Sequence, residues 1–302
     1  MKRWSVPAAV FLLFNSCSFD ESAALPDTSG RGTIHISADE SFKPVIDSQI
    51  QVYESSHPQT KIIAHYKPEA ECLRDFAVDS IRMVIATRSY TKNEENFILD
   101  SMKVEPKTLG VAYDAVAVIV NPHSADSMFT MGEIKDLLTG RYNKNLIPVF
   151  DGVRATSTVR FIIDSVLRND SLSPKVVAAR SSQEVIDYIA TTRNAIGFIG
   201  VSWVGNKEDS MQLSFLKKIK LAHLESTDKP GAYVQPVQAN IYTRRYPMVR
   251  DLVYVLKEKH RGLGHGFANF LSGERGQLIF KRAYLMPAQM KFGVRTATIT
   301  EE

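Results

Sequence analysis

The chain has 302 residues, of which 44% are hydrophobic and 23% charged, and its formal net charge is +4. This length and apolar content are sufficient for one hydrophobic core or for two lobes. The small net charge gives no indication of a nucleic-acid partner, and two cysteines are too few for a disulfide framework.

The first residues have the pattern of an export signal. Lys2 and Arg3 precede a mostly apolar stretch, which ends in "FNSC" at Cys17. The stretch is too short to span a bilayer, so we predict a signal peptide over residues 1–16. Residues 17–31 are rich in Ser, Asp, Ala and Gly and predict a flexible tether.

The same stretch resembles the signal of bacterial lipoproteins, in which a small residue precedes an acylated cysteine. The resemblance implies that Cys17 carries lipid and that the protein is anchored in the periplasm or cell envelope. The alternative is a conventional secretory signal that is cut near Ala24, in which Cys17 has no role.

Strands and helices alternate through the first third of the chain. Alternating or continuous apolar runs predict strands over 32–37, 61–66 and 82–88. Helical spacing of apolar residues predicts helices over 41–58 and 68–76. This alternation is typical of an α/β fold with a parallel sheet.

The middle third continues the pattern. Residues 110–122 form an apolar, β-branched run that is longer than one ordinary buried strand. Thr130 and Glu133 have capping-box spacing, which predicts a helix that ends at Gly140. A strand is predicted over 147–150.

The last third is predicted to return through an extended segment. We take residues 111–121 and 235–241 as two strands that cross between lobes. Pro247 is predicted to occupy the first position of a helix over 247–262. Residues 274–287 close the predicted fold.

A helix with an unusual start lies in "FDGVRATSTVRFIIDSVL". Its apolar residues repeat at i, i+3, i+4, i+7 and i+8, which predicts one core-facing stripe; they are Val159, Ile162, Ile163, Val166 and Leu167. The helix is therefore predicted to begin near Thr156. Thr156, Ser157 and Thr158 place three hydroxyls where the first backbone amides are free. The residues alone leave two interpretations open, an ordinary N-cap and an anion site.

The order of these pieces resembles the periplasmic phosphate-binding proteins of ABC transporters. The resemblance rests on four segments that occur in the family's order: "GTIHISADESFKP", "MVIATR", "AYDAVAVIVNP" followed by "FTMGEIKDLLTGR", and "FLSGERGQLIFKRAYLMP". It implies an α/β, two-lobed type II periplasmic-binding-protein fold. Each lobe would be a mixed or parallel sheet flanked by helices, and two crossing strands would join the lobes.

The resemblance also implies domain bounds and ligand contacts. Lobe I would comprise 32–116 and 242–302, and lobe II would comprise 117–241. The family's Ser-Gly-Thr turn, which holds phosphate oxygens, matches Thr156, Ser157 and Thr158 position by position. Ser41 and Phe42 would contribute a hydroxyl and a backbone amide from the other lobe. The family's arginine lies a few residues before this turn, where strict spacing gives Gly152 and the nearest candidate is Arg154. Arg160, one turn inside the helix, either serves instead or is solvated, and the sequence leaves these possibilities open.

One position departs from the family pattern. Aligned on Arg88, which we expect to pack or pair structurally, the family's proton-accepting Asp corresponds to Arg82. Without that carboxylate, sulfate is expected to bind within about tenfold of phosphate. Asp39, Glu40 and Asp79 are the possible substitutes.

Two functions follow from these observations. The first is a lipoprotein that binds phosphate or a related oxyanion and delivers it to an ABC-type permease, as a monomer. The alternative is a binding-protein-fold lipoprotein that acts as a sensor or assembly partner in an envelope complex. The sequence has no HExxH, C-x-x-C or G-x-S-x-G motif, so we predict neither an enzyme nor a metal or cofactor site. His260 and His265 are taken as part of a Gly-rich loop.

Overall fold

A computed structural model describes residues 27–152, 156–206 and 208–290 of the chain. The strands in chain order are β1 (Arg31–Asp39), β2 (Gln59–Lys67), β3 (Ile81–Ala86), β4 (Lys107–Val120), β5 (Met128–Phe129), β6 (Ile147–Phe150), β7 (Val177–Ala178), β8 (Ala195–Gly200), β9 (Lys220–Leu221), β10 (His223–Glu225), β11 (Tyr233–Val234), β12 (Val249–Leu256) and β13 (Met286–Pro287). The α-helices are α1 (Lys43–Ser56), α2 (Glu69–Asp75), α3 (Lys92–Met102), α4 (Met131–Thr139), α5 (Ser157–Phe161), α6 (Ser182–Thr191), α7 (Ser210–Leu216), α8 (Gln238–Tyr242), α9 (Leu263–Ser272) and α10 (Glu274–Arg282).

A long central strand joins two half-sheets. The strand order is β2-β1-β3-β12-β4-β8-β6-β7. The outer strands β1 to β3 are parallel to one another, as are β6 to β8, whereas β4 and β12 run antiparallel to their neighbours. The sheet is therefore mixed and divided into two halves, which is the architecture that the family resemblance predicts.

Each half-sheet has its own hydrophobic core. One core gathers β1, β2, α1 and α9, a smaller cluster beside it packs α2 against β3, and we call this part of the molecule the first half. The other core gathers β6, β8, α4, α5 and α6, and we call this part the second half. The first part of β4 contributes to one core and its last part to the other. The predicted lobe bounds at residues 116 and 241 remain a proposal.

The predicted helix over 247–262 is wrong. Residues Val249–Leu256 form strand β12, which lies between β3 and β4 and pairs antiparallel with both. Its apolar residues are compatible with either period, and the pairing positions on both sides decide for the strand. The predicted crossing over 235–241 is also not extended, since it contains α8.

The predicted tether ends earlier than expected. Asp27 is buried and β1 already begins at Arg31, so the end of the 17–31 segment belongs to the folded body. The Asp27 carboxylate accepts hydrogen bonds from Arg82 and from the backbone amide of Leu263. Cys17 and the predicted signal peptide lie outside the described residues.

The helix that begins at α5 changes its winding within two turns. Residues Ile162–Leu167 form a π-helical segment, in which the amide of Arg168 donates to the carbonyl of Ile163 at 2.7 Å. Ile163 is 38% exposed, whereas the other four residues of the predicted stripe are buried; they are Val159, Ile162, Val166 and Leu167.

Candidate functional site

Two serine hydroxyls, one from each half-sheet, meet at the boundary of the two halves. Ser41 lies in a 3-10 turn directly after β1, and Ser157 is the first residue of α5. Their Oγ atoms are 3.3 Å apart although the residues are separated by 116 positions in the chain. Both side chains are fully buried. The structure thus brings together two of the predicted ligand residues.

The three hydroxyls at the start of α5 have different roles. Thr156 is the N-cap, and its hydroxyl accepts a hydrogen bond from the amide of Val159 at 3.3 Å. Ser157 and Thr158 both accept hydrogen bonds from a guanidinium group, at 3.0 and 3.3 Å. The cap accounts for Thr156, whereas the other two hydroxyls belong to a larger polar cluster.

That guanidinium belongs to Arg250, which sequence analysis missed. Arg250 lies on β12, is 4% exposed, and donates through Nε to Asp114 Oδ2 at 2.7 Å. Its guanidinium also stacks over the ring of Phe42 at 5.2 Å. Asp114 is the single charged residue in the apolar run "VAYDAVAVIV", whereas Arg250 is followed directly by Asp251. A lone charge in a buried strand was the available signal.

Gly200 allows this ion pair to approach the end of β8. A Cβ at this position would lie 3.2 Å from Arg250 Nη2 and 3.4 Å from Asp114 Oδ2. Any side chain would therefore push against the guanidinium and its carboxylate. The absence of a side chain keeps β8 close to the charged cluster.

Buried carboxylates surround the hydroxyls. Asp39, at the end of β1, is fully buried and accepts a hydrogen bond from the amide of Ser41 at 3.0 Å. Burial raises the pKa of Asp39 to about 6, although the charge of Arg250 opposes the shift. Burial also raises the pKa of Asp151, which accepts a hydrogen bond from Ser182 at 2.9 Å.

Glu40 adds a further titratable group beside them. Burial, together with the negative charges of Asp151 and Asp39, raises the pKa of Glu40 to about 7. The site therefore contains carboxyl groups that change protonation between about pH 6 and pH 7.

Several polar atoms of this cluster have no hydrogen-bond partner. Among the described residues, the buried side-chain atoms without one are Asp39 Oδ2, Asp114 Oδ1, Asp151 Oδ1, Arg250 Nη2 and, elsewhere, Gln49 Oε1. Unpaired buried polar atoms are costly and rare, so four of them around one cluster point to a ligand. The ligand would have to offer both an acceptor, for Arg250, and a donor, for a carboxylate.

The remaining predicted residues lie in other places. Arg160 contacts Glu69 and Thr87 of the first half. Arg154 lies outside the described residues. Phe42 is fully buried, and its predicted contribution through the backbone amide remains a proposal.

The position aligned with the family's carboxylate lies away from this cluster. Arg82 is at the start of β3, where it pairs with Asp27 and Glu258. The expectation that Arg82 occupies the place of a ligand carboxylate is therefore wrong, because Arg82 lies away from the hydroxyls. The structure places the carboxylate of Asp39 beside them instead. Arg88 pairs with Glu94 at 2.9 Å, as expected of a structural residue.

The described part of the chain lacks two further features. No group of three or more His, Cys, Asp or Glu side chains within it could hold a metal ion. None of its helices combines the length and the apolar character that crossing a membrane requires.

A mixed sheet divided into two halves, with a buried polar cluster between them, defines the class of substrate-binding proteins with the type II fold. The family model described as "PBP superfamily domain" matches residues 23–275, so the chain belongs to the PBP superfamily. Its relatives are PstS phosphate-binding proteins, and the predicted resemblance to that family is confirmed.

The sequence relatives are distant. The chain is 25% identical over 212 residues to the phosphate-binding protein PstS of Pseudomonas aeruginosa, which is 62% of each protein. It is 20% identical over 287 residues to PstS of Borreliella burgdorferi, covering 88% of this chain and 90% of that protein. The chain thus spans less than two thirds of the Pseudomonas relative.

Solved structures show the same fold. A phosphate ABC transporter substrate-binding protein of Clostridium perfringens with bound phosphate has a TM-score of 0.70 at 19% identity, covering 85% of this chain and 100% of that one. An ABC-type phosphate transport receptor of Vibrio cholerae has a TM-score of 0.63 at 15% identity, covering 84% and 99%.

Proposed function

We propose that this protein binds phosphate between its two halves and delivers it to an ABC-type permease. The ligand contacts would be the hydroxyls of Ser41, Ser157 and Thr158, the guanidinium of Arg250 and the backbone amide of Phe42. The carrying observation is that Arg250, buried beside Ser157 and Thr158, retains an Nη2 atom without a partner. Charge-assisted donors of this kind bind oxyanions strongly.

Asp39 would select for a protonated oxyanion. Its Oδ2 atom is buried without a partner, and its pKa of about 6 leaves it mostly ionised at neutral pH. Phosphate at neutral pH can donate a proton to this carboxylate, whereas sulfate has none to donate and would face an unpaired negative charge. We therefore replace the expectation of poor discrimination by a preference for phosphate of more than tenfold.

Isothermal titration of the full-length chain, purified in detergent, tests the proposal. We expect a dissociation constant for phosphate in the micromolar range or tighter, which corresponds to about −8 kcal/mol. Sulfate should bind at least tenfold more weakly. If phosphate does not bind at millimolar concentration, the proposal fails and the role of sensor or assembly partner is favoured.

The proposed location is the cell envelope, with lipid attached through Cys17. One acyl chain binds membranes only marginally, with an association constant of about 10⁴ M⁻¹, so stable anchoring requires more than one chain. Cys17→Ala should leave an unprocessed, unlipidated precursor, detected by metabolic labelling with a fatty acid. A normally cleaved product of that variant would contradict lipid anchoring.

A further inference from the structure

An ion pair outside the hydroxyl cluster joins the two halves of the molecule. Arg160 is the fourth residue of α5 in the second half, and Glu69 is the first residue of α2 in the first half. Arg160 Nε donates to Glu69 Oε2, and Arg160 Nη2 donates to the hydroxyl of Thr87 at 2.7 Å. Glu69 is 1% exposed and the Arg160 side chain is 30% exposed, so the contact is shielded from solvent on the side of Glu69.

Glu69 is also held by contacts within the first half. Its Oε1 atom accepts hydrogen bonds from the amide of Thr87 at 2.8 Å and from the hydroxyl of Thr87 at 2.6 Å. Burial acts to raise the pKa of Glu69. The hydrogen bonds from Arg160 and Thr87 and the positive charge of Arg160 outweigh burial, so the pKa is lowered. The carboxylate is therefore ionised and preorganised in the first half, and Arg160 is its partner from the second half.

Every nitrogen of the Arg160 guanidinium is engaged in this arrangement. Besides the bonds to Glu69 and Thr87, Nη1 donates to Asp164 at 3.2 Å within its own helical segment. Four of the five N–H donors of Arg160 are therefore used within the protein. Arg160 is thus placed to hold the halves together rather than to contact an anion.

We propose that Arg160 and Glu69 form a latch that stabilises the closed arrangement of the two halves, so that Glu69 strengthens oxyanion binding without touching the ligand. This inference rests on the proposed function. Ligand binding between two halves is coupled to their closure, and a contact made only in the closed arrangement lowers the dissociation constant and slows release. Glu69 and Arg160 are positioning residues in this scheme.

The latch and a direct contact predict effects of opposite sign for Glu69→Gln. The charge of Glu69 is felt at Asp39, so it also lies within electrostatic range of an anion bound there. If Arg160 contacted the anion, removing the negative charge of Glu69 would free Arg160 and tighten binding. If the latch is correct, the same substitution weakens closure and therefore weakens binding.

The experiment compares Glu69→Gln with Asp164→Asn in the full-length chain by isothermal titration with phosphate. Gln retains an oxygen that can accept from Thr87, so the variant is designed to lose only the ionic contact. We expect Glu69→Gln to raise the dissociation constant about tenfold. Asp164→Asn removes only the partner of Arg160 within the second half, so it should change the dissociation constant by less than twofold. Arg160→Met combined with Glu69→Gln should be no weaker than the weaker single variant, because both changes break one contact.

The fluorescence emission of Trp203 reports closure of the two halves. Loss of a purely structural contact would leave this emission unchanged. The indole Nε1 of Trp203 belongs to the second half and donates to the carbonyl of Ser41 at 2.8 Å. Trp203 is the only tryptophan outside the predicted signal peptide, which contains Trp4, and Trp4→Phe removes the second tryptophan from any unprocessed chain. In the phosphate-free protein its emission should shift to longer wavelength in Glu69→Gln but not in Asp164→Asn.

Two outcomes separate the proposals. Unchanged or tighter phosphate binding by Glu69→Gln, or an unshifted Trp203 emission, would overturn the latch and leave phosphate binding intact. Failure of the unsubstituted chain to bind phosphate would instead overturn the proposed function.

Discussion

Two arginines of the first half-sheet, Arg82 on β3 and Arg250 on β12, each pair with a buried carboxylate, yet their surroundings differ. Arg82 pairs with Asp27 and Glu258, and every carboxylate oxygen in that cluster has a partner. Glu258 accepts from the amides of Gly264 and His265 at 2.8 Å each, at the start of α9. The chain's own carboxylates therefore occupy this helix start.

Around Arg250, by contrast, several buried polar atoms have no hydrogen-bond partner. The start of α5 presents hydroxyls in place of carboxylates, and Arg250 Nη2 and Asp39 Oδ2 have no partner. A satisfied cluster stabilises the fold, whereas a buried cluster with unpaired donors and acceptors is completed by a ligand. Both regions contain an arginine paired with buried carboxylates, so their charges do not distinguish them. They differ in whether all their polar atoms have hydrogen-bond partners.

The largest effect is expected for Arg250→Met. The substitution leaves Asp114 buried without a counter-ion, which should lower the free energy of unfolding by about 3–5 kcal/mol. It also removes the charged donor to the ligand, so phosphate affinity should fall by about a hundredfold, at about 1.5–3 kcal/mol for a hydrogen bond to a charged group. Urea unfolding and phosphate titration measure the two effects.

Arg82→Met is the matched control for this comparison. It should also destabilise the fold, because Asp27 and Glu258 lose their cation, but the dissociation constant for phosphate should change by less than twofold. A large loss of phosphate affinity in Arg82→Met would remove the distinction between the two clusters.

Asp39→Asn should stabilise the protein at neutral pH. A raised pKa in the folded state means that Asp39 contributes stability below about pH 4, and this contribution is lost as the pH rises to about 6. The variant should therefore exceed the parent in melting temperature above pH 6 and approach it near pH 4. It should also lose the preference for phosphate over sulfate, and a retained preference would exclude Asp39 as the proton acceptor.

Asp27→Asn should have the opposite pH dependence. Burial acts to raise the pKa of Asp27, but the amide of Leu263, His260 and Arg82 together lower it. Asp27 therefore contributes stability above its ordinary pKa of about 4, and the contribution is lost as the pH falls further. Asp27→Asn should lower the melting temperature more at pH 7 than at pH 3. An equal loss at both values would contradict an ionic role.

The smallest effect is expected for Thr158→Ala. Removal of one neutral hydroxyl contact costs about 1 kcal/mol, which corresponds to about fivefold in affinity. Because the proposed contact of this hydroxyl is with an oxygen that phosphate and sulfate share, both ligands should bind more weakly to the same extent in competition titrations. A loss confined to phosphate would show that Thr158 takes part in proton recognition.

Local patterns in the sequence were sufficient for most of the elements. The apolar periods predicted α1, α2 and the strands β1 to β4, and the spacing of Thr130 and Glu133 predicted the capping box that begins α4. Ser41, Ser157 and Thr158 were predicted as neighbours through the family resemblance. These features depend on residues a few positions apart, whose preferences are local.

Tertiary structure alone decided the identity of the charged groups at the site. The spacing of apolar residues over 249–256 fits a helix and a strand equally well. Pairing with β3 and β4 makes this segment the strand β12, and in that strand Arg250 faces Asp114. Arg160 was a candidate ligand by its spacing from Thr156, but its partner Glu69 lies 91 positions away. Ion pairs of this kind depend on distances in space between residues far apart in the chain, because Coulomb attraction acts through space and not along the sequence.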